Sequence, residues 1–480
     1  MIKNISHYFF ATLIGSSLSF VLLPFYTNYL SLSDFGILAL AYTFGNFIAG
    51  LLSFSLSTAT TRFFYTYKKI NDLLSFSILN TTNLIFIIIT FIFFGLILNK
   101  FSGNISNLIF KNVLSQELIL FSFILGCLSK IYNYLMLIFI SQEKAKYYSY
   151  YFISNSILAN IFSVFLIYFF SFKADGRIFG GILSFLLIIP LVIYSQKDNF
   201  FLKFRFNDLK KSIRLSLPLM PDSIIGLINN SFDKIILNSF LGLSSLGLYD
   251  IANRFSNVYK QVLDSIIPTW TPYFMNKSEE KDEDSKKKIS NRYKIVTTMF
   301  VIFAAIFVSY IEEIVTLLTT VEFHKSIYII PMIVFFTLTI HCFTILGKGQ
   351  ILYAKKTKHL FYSSLIACIL NIILNFILIP LYGIIGAVLA TGFTGILSTI
   401  YISIIGQKLH SIPVNFFNQF YQLLIFAFFL IILFILMKSQ INFFYKLSIK
   451  SIVLITYISL ILYINNFNFK KFYKKIINES

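Results

Sequence analysis

The amino-acid sequence predicts an all-α polytopic membrane protein with about fourteen transmembrane helices. Its residues are 57% hydrophobic and 12% charged, whereas a soluble domain carries about 25% charged residues. Apolar stretches of about 20 residues, the length that crosses the hydrocarbon core, recur along the whole chain. Most connections between these stretches are short, so the chain has no room for a separate soluble domain.

Each predicted span is an apolar run bounded by polar residues. The segment MIKNISHYFF leads into the first run without a small-residue cleavage site, which predicts a retained helix rather than a signal peptide. Cys127, Cys342 and Cys368 lie inside apolar runs without the spacing of metal ligands, so no disulfide framework, metal or other cofactor is predicted. The predicted spans are residues 8–30, 36–61, 73–98, 117–140, 148–171, 176–195, 214–240, 245–274, 295–318, 327–353, 359–380, 384–406, 416–437 and 445–465.

Charges in the connections predict the orientation in the membrane. With the N-terminus inside, 27 Lys and Arg residues fall on the cytoplasmic side and 8 on the other side. The positive-inside rule therefore places both termini in the cytoplasm. Because the net charge of +20 lies along one membrane face, we expect contact with anionic membrane lipids and no nucleic-acid partner.

An internal repeat divides the chain. LSLSDFGILALAYTFGN (30–46) resembles LGLSSLGLYDIANRFSN (241–257), 211 residues later, and a second stretch that begins at Lys144 recurs at Lys356. Six predicted helices separate the copies, so the copies share one orientation. This pattern predicts two pseudo-symmetric six-helix lobes with the substrate site between them, a known transporter design. The predicted boundaries are 1–196 for the N-terminal lobe, 197–213 for a cytoplasmic linker, 214–410 for the C-terminal lobe, and 411–480 for two further helices and a basic tail.

Charged residues are concentrated in predicted spans seven and eight. On a helical wheel the polar side chains of span eight share one arc of roughly 120°, which predicts a stripe that lines a hydrated cavity. The first copy of the repeat has neutral residues at the equivalent positions, so the scaffold itself does not require these charges. The candidate substrate-cavity residues are Lys130, Lys234, Arg254, Asn257, Lys260, Gln261 and Lys348, and the candidate coupling or ion-pair residues are Asp222, Asp233, Asp250, Asp264 and His341.

Two interpretations of these charges remain open: they line a cavity, or they only pair neighbouring helices. Asp250 is the first candidate for proton coupling, because Arg254 stands one helical turn away. Nucleotide hydrolysis is not predicted, since LGKGQ (346–350) lacks the spacing and the hydroxyl residue of a P-loop. The short outer connections also weigh against a membrane glycosyltransferase or polymerase, so we expect a transporter rather than an enzyme.

Three segments carry a resemblance to a known family. GSSLSFVLLPFYTNYLSLSDFGILAL in span one and its continuation, the block LPLMP…NNSFDKIILNSFLGLSSLGLYDIANRF, and GIIGAVLAT (383–391) resemble the O-antigen flippases (Wzx-type) and related polysaccharide transporters. The most specific part is the Asp233–Lys234 pair followed by the turn at Gly242. These proteins share a superfamily with the multidrug and toxic compound extrusion transporters and the lipid II flippases. The lipid II flippases carry an arginine-bearing motif in span one, where this chain has neutral residues.

The resemblance implies a V-shaped fold of fourteen helices and a function. The implied cargo is an undecaprenyl-pyrophosphate-linked oligosaccharide, moved across a bacterial inner membrane with coupling to an ion gradient. A polysaccharide polymerase and a chain-length regulator are the candidate protein partners. The alternative from the same superfamily is an exporter of small amphipathic cations, and a membrane glycosyltransferase or polymerase is the third interpretation.

Overall fold

The computed structural model describes residues 11, 14, 15, 17–110, 113–229 and 231–465. The start of the predicted first span, Lys111 and the basic tail after residue 465 lie outside the described residues. The described residues form helices joined by short turns, with no strand among them, and the predicted fold class is confirmed.

The helices are numbered here along the chain. They are α1 (Leu23–Tyr29), α2 (Leu32–Leu52), α3 (Leu56–Lys69), α4 (Leu73–Phe110), α5 (Gln116–Ser141), α6 (Ala145–Phe170), α7 (Lys173–Ser195), α8 (Phe206–Ser216), α9 (Met220–Asn229), α10 (Phe232–Asp264), α11 (Ile267–Glu279), α12 (Glu283–Ser309), α13 (Ile311–Leu318), α14 (Ile330–Tyr353), α15 (Lys358–Tyr382), α16 (Ile384–Leu409), α17 (Phe416–Lys438) and α18 (Phe443–Ile464).

Twelve helical segments of the described chain are long and apolar enough to cross a membrane. Predicted spans seven and eight fall within one of these segments, Phe206–Glu279, which contains α8 to α11, and predicted span one lies partly outside the described residues. The remaining predicted spans each correspond to one of the other segments. The chain is therefore a multi-pass membrane protein.

The helices break at repeat-related places. Ser31, between α1 and α2, is followed 211 residues later by Gly242, which interrupts α10 with a φ of 77°. The predicted span 36–61 is in fact two helices, because Phe54 and Ser55 adopt positive φ angles of 50° and 52°. After that break α3 begins at Leu56, and α11 begins 211 residues later at Ile267. The internal repeat therefore recurs in the backbone as well as in the sequence.

Left-handed turns recur at nearly the same offset. Each is one residue with φ between 55° and 61° in a connection between two helices. The pairs are Asn71 and Lys281, Glu143 and Lys355, and Ser171 and Gly383. Since the paired residues differ in type, the shared backbone path, rather than a glycine requirement, defines these turns.

The turns at Asn71 and Lys281 are each followed by the same kind of helix cap. After the first, the Asp72 carboxylate accepts a hydrogen bond of 3.0 Å from the backbone N–H of Ser75. After the second, the Asp282 carboxylate accepts one of 3.2 Å from the backbone N–H of Ser285. Hydrogen bonds from these serines hold the pKa of each aspartate below its ordinary value. An aspartate that caps the third residue beyond it is a strong start signal for a helix.

The chain forms two compact units. One unit contains the chain up to Asp250 together with residues 318–323 and 368–387, and the other contains residues 251–317, 324–367 and the chain from residue 388 onward. The lobe boundaries drawn from the sequence repeat remain a prediction.

The predicted cytoplasmic linker is held to the first unit by α4. Ser77 and Asn80 on α4 donate hydrogen bonds to the backbone carbonyls of Asp198 and Asn199, at 3.0 and 2.9 Å. Thr81, one residue further along α4, accepts a hydrogen bond of 2.9 Å from the backbone N–H of Phe201. These side chains give backbone groups near the start of the linker the partners that they would otherwise take from water.

Two glycines related by the repeat pack against each other's helix. Gly36 on α2 lies so close to Leu243 on α10 that an added methyl group would overlap the Leu243 carbonyl oxygen. Gly247 on α10 lies equally close to the carbonyl of Leu32 on α2. Both glycines are helical, so they are needed for the close approach of two backbones and not for an unusual φ angle. Small residues at such crossings allow membrane helices to pack tightly.

We therefore expect Gly36→Ala and Gly247→Ala to destabilise the protein, each by about 1–3 kcal/mol, because α2 and α10 must separate to admit the methyl group. The matched control is Gly226→Ala on α9, where an added methyl group meets nothing within 4 Å. Thermal unfolding of the detergent-solubilised protein measures the difference. Equal melting temperatures for the Gly36 and Gly226 variants would contradict the close approach.

Candidate substrate and coupling sites

A polar cavity of about 300 Å³ surrounds Lys130 in the first unit. It lies beside the break between α2 and α3 and is bordered by α5 and α9. Among the described residues that line it, Lys130 alone carries a charge, and most of the other polar groups are hydroxyls. The lining residues of this Lys130 cavity are Gly50, Ser53, Ser55, Ser57, Thr58, Ile87, Lys130, Asn133, Tyr134, Leu137, Ser223, Gly226 and Leu227.

The helix break explains why the hydroxyls converge. Phe54 and Ser55 interrupt the helix between α2 and α3, and Ser53, Ser55 and Ser57 line the cavity around this break. Ser55 donates a hydrogen bond of 3.0 Å to Ser223, which joins the break to α9. Lys130 is half-buried, and no carboxylate of the described chain lies within 4 Å of its ammonium group. An ammonium group without an anionic partner, in a hydroxyl-lined cavity, is suited to bind an anion.

A buried network of side-chain hydrogen bonds lies beside the Lys130 cavity and includes Tyr134, which also lines the cavity. The Tyr134 hydroxyl donates to Asn80 Oδ1 at 2.7 Å and lies 3.0 Å from the Thr60 hydroxyl. Asn83 donates to the same Thr60 hydroxyl at 3.0 Å. All four side chains are buried. Buried polar groups that satisfy one another fix the rotation of the helices that carry them.

The candidate residues at the start of α10 come together in the same unit. Lys234 Nζ lies 3.4 Å from Asp250 Oδ1. Asp233 accepts hydrogen bonds from the Tyr249 hydroxyl, at 2.7 Å, and from the backbone N–H of Lys234, at 2.8 Å. Both carboxylates are buried, so their partners offset the cost of removing them from water. Asp250 therefore contacts Lys234, a pair that sequence spacing along one straight helix does not suggest.

The polar stripe of α10 has two different halves. Asp250 is buried and Arg254 is half-buried, whereas Asn257, Lys260 and Gln261 are exposed. The exposed half therefore presents one cation and two amide-bearing side chains away from the protein interior.

Two further candidates are exposed. Lys348 on α14 has an exposed side chain, and its charge acts on Asp264. Asp222 on α9 is exposed too, and it is not among the residues that line the Lys130 cavity.

His341 and Asp264 form the clearest pair among the coupling candidates. His341 Nε2 lies 3.0 Å from Asp264 Oδ1, and the other ring nitrogen, Nδ1, lies 2.8 Å from the backbone carbonyl of Thr337. The His341 side chain is 16% exposed and Asp264 is 44% exposed. The charges of Lys260 and Lys348 also act on Asp264. The sequence suggested Lys260 as the neighbour of Asp264, while His341, 77 residues away, provides the hydrogen bond.

The two polar sites occupy repeat-related positions. Ser53 in the Lys130 cavity corresponds to Asp264, and Ser129, next to Lys130, corresponds to His341. Beside this helix break, the first copy of the repeat has a lysine in a hydroxyl-lined cavity, and the second copy has a histidine–aspartate pair.

Sequence reasoning missed a buried charge cluster in the second unit. Lys450 on α18 lies 2.7 Å from both Glu312 Oε2 and Glu313 Oε1, and Lys446 lies 2.7 Å from Glu312 Oε1. The Lys450 side chain is fully buried. The sequence placed both lysines among the charges of the outer connections. The spacing of four residues between the lysines, opposite two adjacent glutamates, is the signal that could have paired them.

A second missed cluster lies in the first unit. Arg177 donates to the Tyr26 hydroxyl at 2.6 Å and to Asn160 Oδ1 at 2.8 Å. Its guanidinium also lies 4.4 Å from the centre of the Tyr26 ring. These contacts join α1, α6 and α7, and no pattern in the sequence connects the three residues.

Comparison with known proteins defines the class of protein. Residues 1–278 match the polysaccharide biosynthesis protein family, and the chain belongs to that family. No curated protein matches the chain in sequence.

The fold is similar to those of solved flippase and multidrug transporter structures. The structure of lipid II flippase MurJ in an inward closed conformation matches with a TM-score of 0.70 and 18% identity, over 99% of this chain and 100% of that one. An inward-facing multidrug resistance MATE family transporter matches with a TM-score of 0.63 and 13% identity, over 81% and 94%. A MOP superfamily transporter from Pyrococcus furiosus matches with a TM-score of 0.56 and 14% identity, over 85% of this chain and 95% of that one. At these identities the likeness concerns the fold alone.

The glutamate–lysine cluster gives a stability prediction. Lys450→Met should destabilise the protein by roughly 3–5 kcal/mol, because Glu312 and Glu313 then lose their shared buried cation. Lys438→Met, an exposed lysine at the end of α17, is the matched control. Thermal unfolding in detergent tests the comparison, and a Lys450 variant as stable as the control would show that the cluster does not hold α18 in place.

Proposed function

We propose that this chain is a flippase for an undecaprenyl-pyrophosphate-linked oligosaccharide, such as the repeat unit of O-antigen or a similar surface polysaccharide. The observation that carries the proposal is the Lys130 cavity, in which a cation without a carboxylate partner is surrounded by hydroxyls. Family membership supports a role in polysaccharide biosynthesis, and the fold supports movement of a substrate through a membrane.

The chemistry of the cargo fits the cavity. A lipid-linked oligosaccharide has an anionic pyrophosphate, a polar glycan and an apolar tail. Lys130 can form a charge-assisted hydrogen bond to a phosphate oxygen, while serine, threonine and asparagine side chains can replace the water around sugar hydroxyls. The cations of α10, Arg254 and Lys260, supply further positive charge along the proposed path.

Alternating access would carry the head group across the bilayer. In this mechanism the two repeats rock about the site, so that it opens to one side of the membrane at a time. A proton or ion gradient drives the cycle through one of the candidate carboxylates. We place the protein in a bacterial inner membrane with both termini cytoplasmic, which agrees with the distribution of Lys and Arg along the sequence. A polysaccharide polymerase and a chain-length regulator are the partners that would act on the cargo after it crosses.

The second candidate function is export of small amphipathic cations. The likeness of the fold to a multidrug resistance transporter favours it. A cation pocket needs carboxylates or aromatic faces, however, and among the described residues the Lys130 cavity has no carboxylate in its lining. The cavity therefore favours the anionic cargo.

The proposal predicts a specific effect of Lys130. Lys130→Ala should reduce delivery of surface polysaccharide at least about tenfold, since loss of a charge-assisted hydrogen bond costs about 1.5–3 kcal/mol. Lys130→Arg should retain much of the activity, because the positive charge remains. The measurement is surface polysaccharide at matched protein abundance, together with lipid-linked oligosaccharide held on the inner leaflet.

The control is Lys408→Ala, which removes an exposed lysine at the end of α16. It should leave delivery unchanged. Full delivery by the Lys130→Ala variant, or an inner-leaflet accumulation no greater than that of the control, would count against a substrate role for the cavity.

A further inference from the structure

We propose that His341 and Asp264 together form a proton-binding site, and that the loss of one proton from this pair weakens the contact between α10 and α14. The inference rests on the proposed function only where it connects this proton to transport. The site itself follows from the hydrogen-bond geometry.

The two acceptors around the imidazole ring determine how many protons the pair must hold. The backbone carbonyl of Thr337 can only accept a hydrogen bond, so His341 Nδ1, 2.8 Å away, must carry a hydrogen. Nε2 then faces Asp264 Oδ1 at 3.0 Å. A neutral ring with its hydrogen on Nδ1 presents a lone pair at Nε2, and an ionised carboxylate presents another. These two lone pairs repel each other. The other neutral tautomer, with its hydrogen on Nε2, donates to Asp264 but leaves a lone pair on Nδ1 facing the Thr337 carbonyl, so the two observed contacts together require one additional proton.

That proton can reside on either partner. With the proton on Nε2, the contact is an imidazolium that donates to a carboxylate. With the proton on Asp264, a carboxylic acid donates to a neutral imidazole. Both arrangements contain the same number of protons and the same net charge, and a shift between them moves one proton along one hydrogen bond. Removal of the proton to solvent leaves a net charge of −1 on the pair and one ring N–H for two acceptors, so His341 can keep the hydrogen bond to Asp264 or the one to Thr337 but not both.

The surroundings allow such a proton to enter and leave. Asp264 is 44% exposed, so protein does not cover one side of the pair, while His341 is 16% exposed. Lys260 on α10 and Lys348 on α14 are the cations whose charges act on Asp264. Helices α11, α12 and α17 also pack against α14. Trp270 donates to the Ile345 carbonyl at 3.0 Å, and Tyr293 contacts the Cys342 carbonyl and Gln419.

The position of the pair connects the proton to the helix break. Asp264 is the last residue of α10, immediately before the turn into α11, and His341 lies in the middle of α14. The additional proton therefore strengthens the contact between the end of α10 and α14. An anionic cargo that attracts Lys260 or Lys348 removes positive charge from beside Asp264, and so favours proton uptake by the pair. Cargo and proton would then bind with positive coupling.

Asp250, the first candidate from the sequence, has a different environment. Its carboxylate lies 3.4 Å from Lys234 and is buried, so a lysine cation accompanies it without any need for an additional proton. The two contacts of His341, to Thr337 and to Asp264, are the ones that together require an additional proton.

A direct titration tests the site without any cargo. The full-length protein, labelled with ¹⁵N-histidine and held in lipid nanodiscs, gives imidazole NMR signals whose shifts report the protonation of each ring nitrogen. His341→Gln identifies the His341 signals among the five histidines of the chain. We expect the His341 signals to show the additional proton on the pair. In Asp264→Asn the proton affinity of His341 should fall by about tenfold or more, since the carboxylate that favours the charged ring is gone.

His359 provides the matched control. Its Nδ1 lies 3.0 Å from the Tyr401 hydroxyl, which can donate as well as accept, so that contact requires no additional proton. The Asp264→Asn substitution should leave the His359 signals unchanged. If His341 is neutral at the pH where His359 is neutral, or if Asp264→Asn does not alter its titration, the proton-binding site is wrong.

A second measurement connects the site to transport. Asparagine at position 264 can donate to a neutral Nε2, so Asp264→Asn keeps the contact at every pH and the protein should fold. In proteoliposomes, cargo movement by the parent protein should respond to an imposed pH gradient, and movement by Asp264→Asn should not. An equal response of both proteins would overturn the coupling role.

The two measurements separate the proton site from the proposed function. A His341–Asp264 titration as expected, combined with no movement of lipid-linked oligosaccharide by the parent protein, would leave the proton site in place and overturn the proposed cargo. Movement of lipid-linked oligosaccharide by the parent protein, combined with a His341 titration that Asp264→Asn does not alter, would leave the proposed cargo in place and overturn the proton site.

Discussion

The cost of placing charge in hydrocarbon is the constraint on which the rest of this structure depends. A charged side chain at the centre of a bilayer costs about 2.5–3.5 kcal/mol on insertion scales, so it must have a partner, water or a function. The chain meets this constraint in different ways. Lys450 is fully buried between two glutamates, whereas Lys130 lies in a cavity lined by hydroxyls. The first arrangement stabilises a helix packing, and the second leaves a cation available to a ligand.

The repeat provides one scaffold for two kinds of polar site. The breaks before α3 and before α11, and the left-handed turns between helices, recur at nearly constant offsets although their residues differ. At the equivalent position the first copy has Ser53 in the Lys130 cavity, and the second has Asp264 bound to His341. A duplicated backbone can therefore diverge in chemistry without a change of fold. In our proposal one half binds an anionic head group and the other binds a proton.

The sequence predicted the helices well and the partners of the charges less well. Span positions follow from composition and length alone, which a bilayer enforces strongly. The break at Phe54 was not visible in a continuous apolar run, because positive φ angles at non-glycine residues leave no sequence signature. Contacts between distant helices, such as Asp264 with His341 and Arg177 with Tyr26, depend on how the helices pack. A helical wheel describes one helix at a time, so it identified the polar stripe of α10 but not its neighbours.

The measurement that tests the central claim most directly is cargo movement by the purified protein. Proteoliposomes are loaded with a lipid-linked oligosaccharide that carries a fluorescent label on its glycan, and a membrane-impermeant quencher reports the fraction on the outer leaflet over time. The account predicts that the protein equilibrates the label between the two leaflets and that protein-free liposomes do not. It also predicts that a cationic amphiphile is not moved. Movement of the cation, together with a label that stays on its original leaflet, would contradict the account.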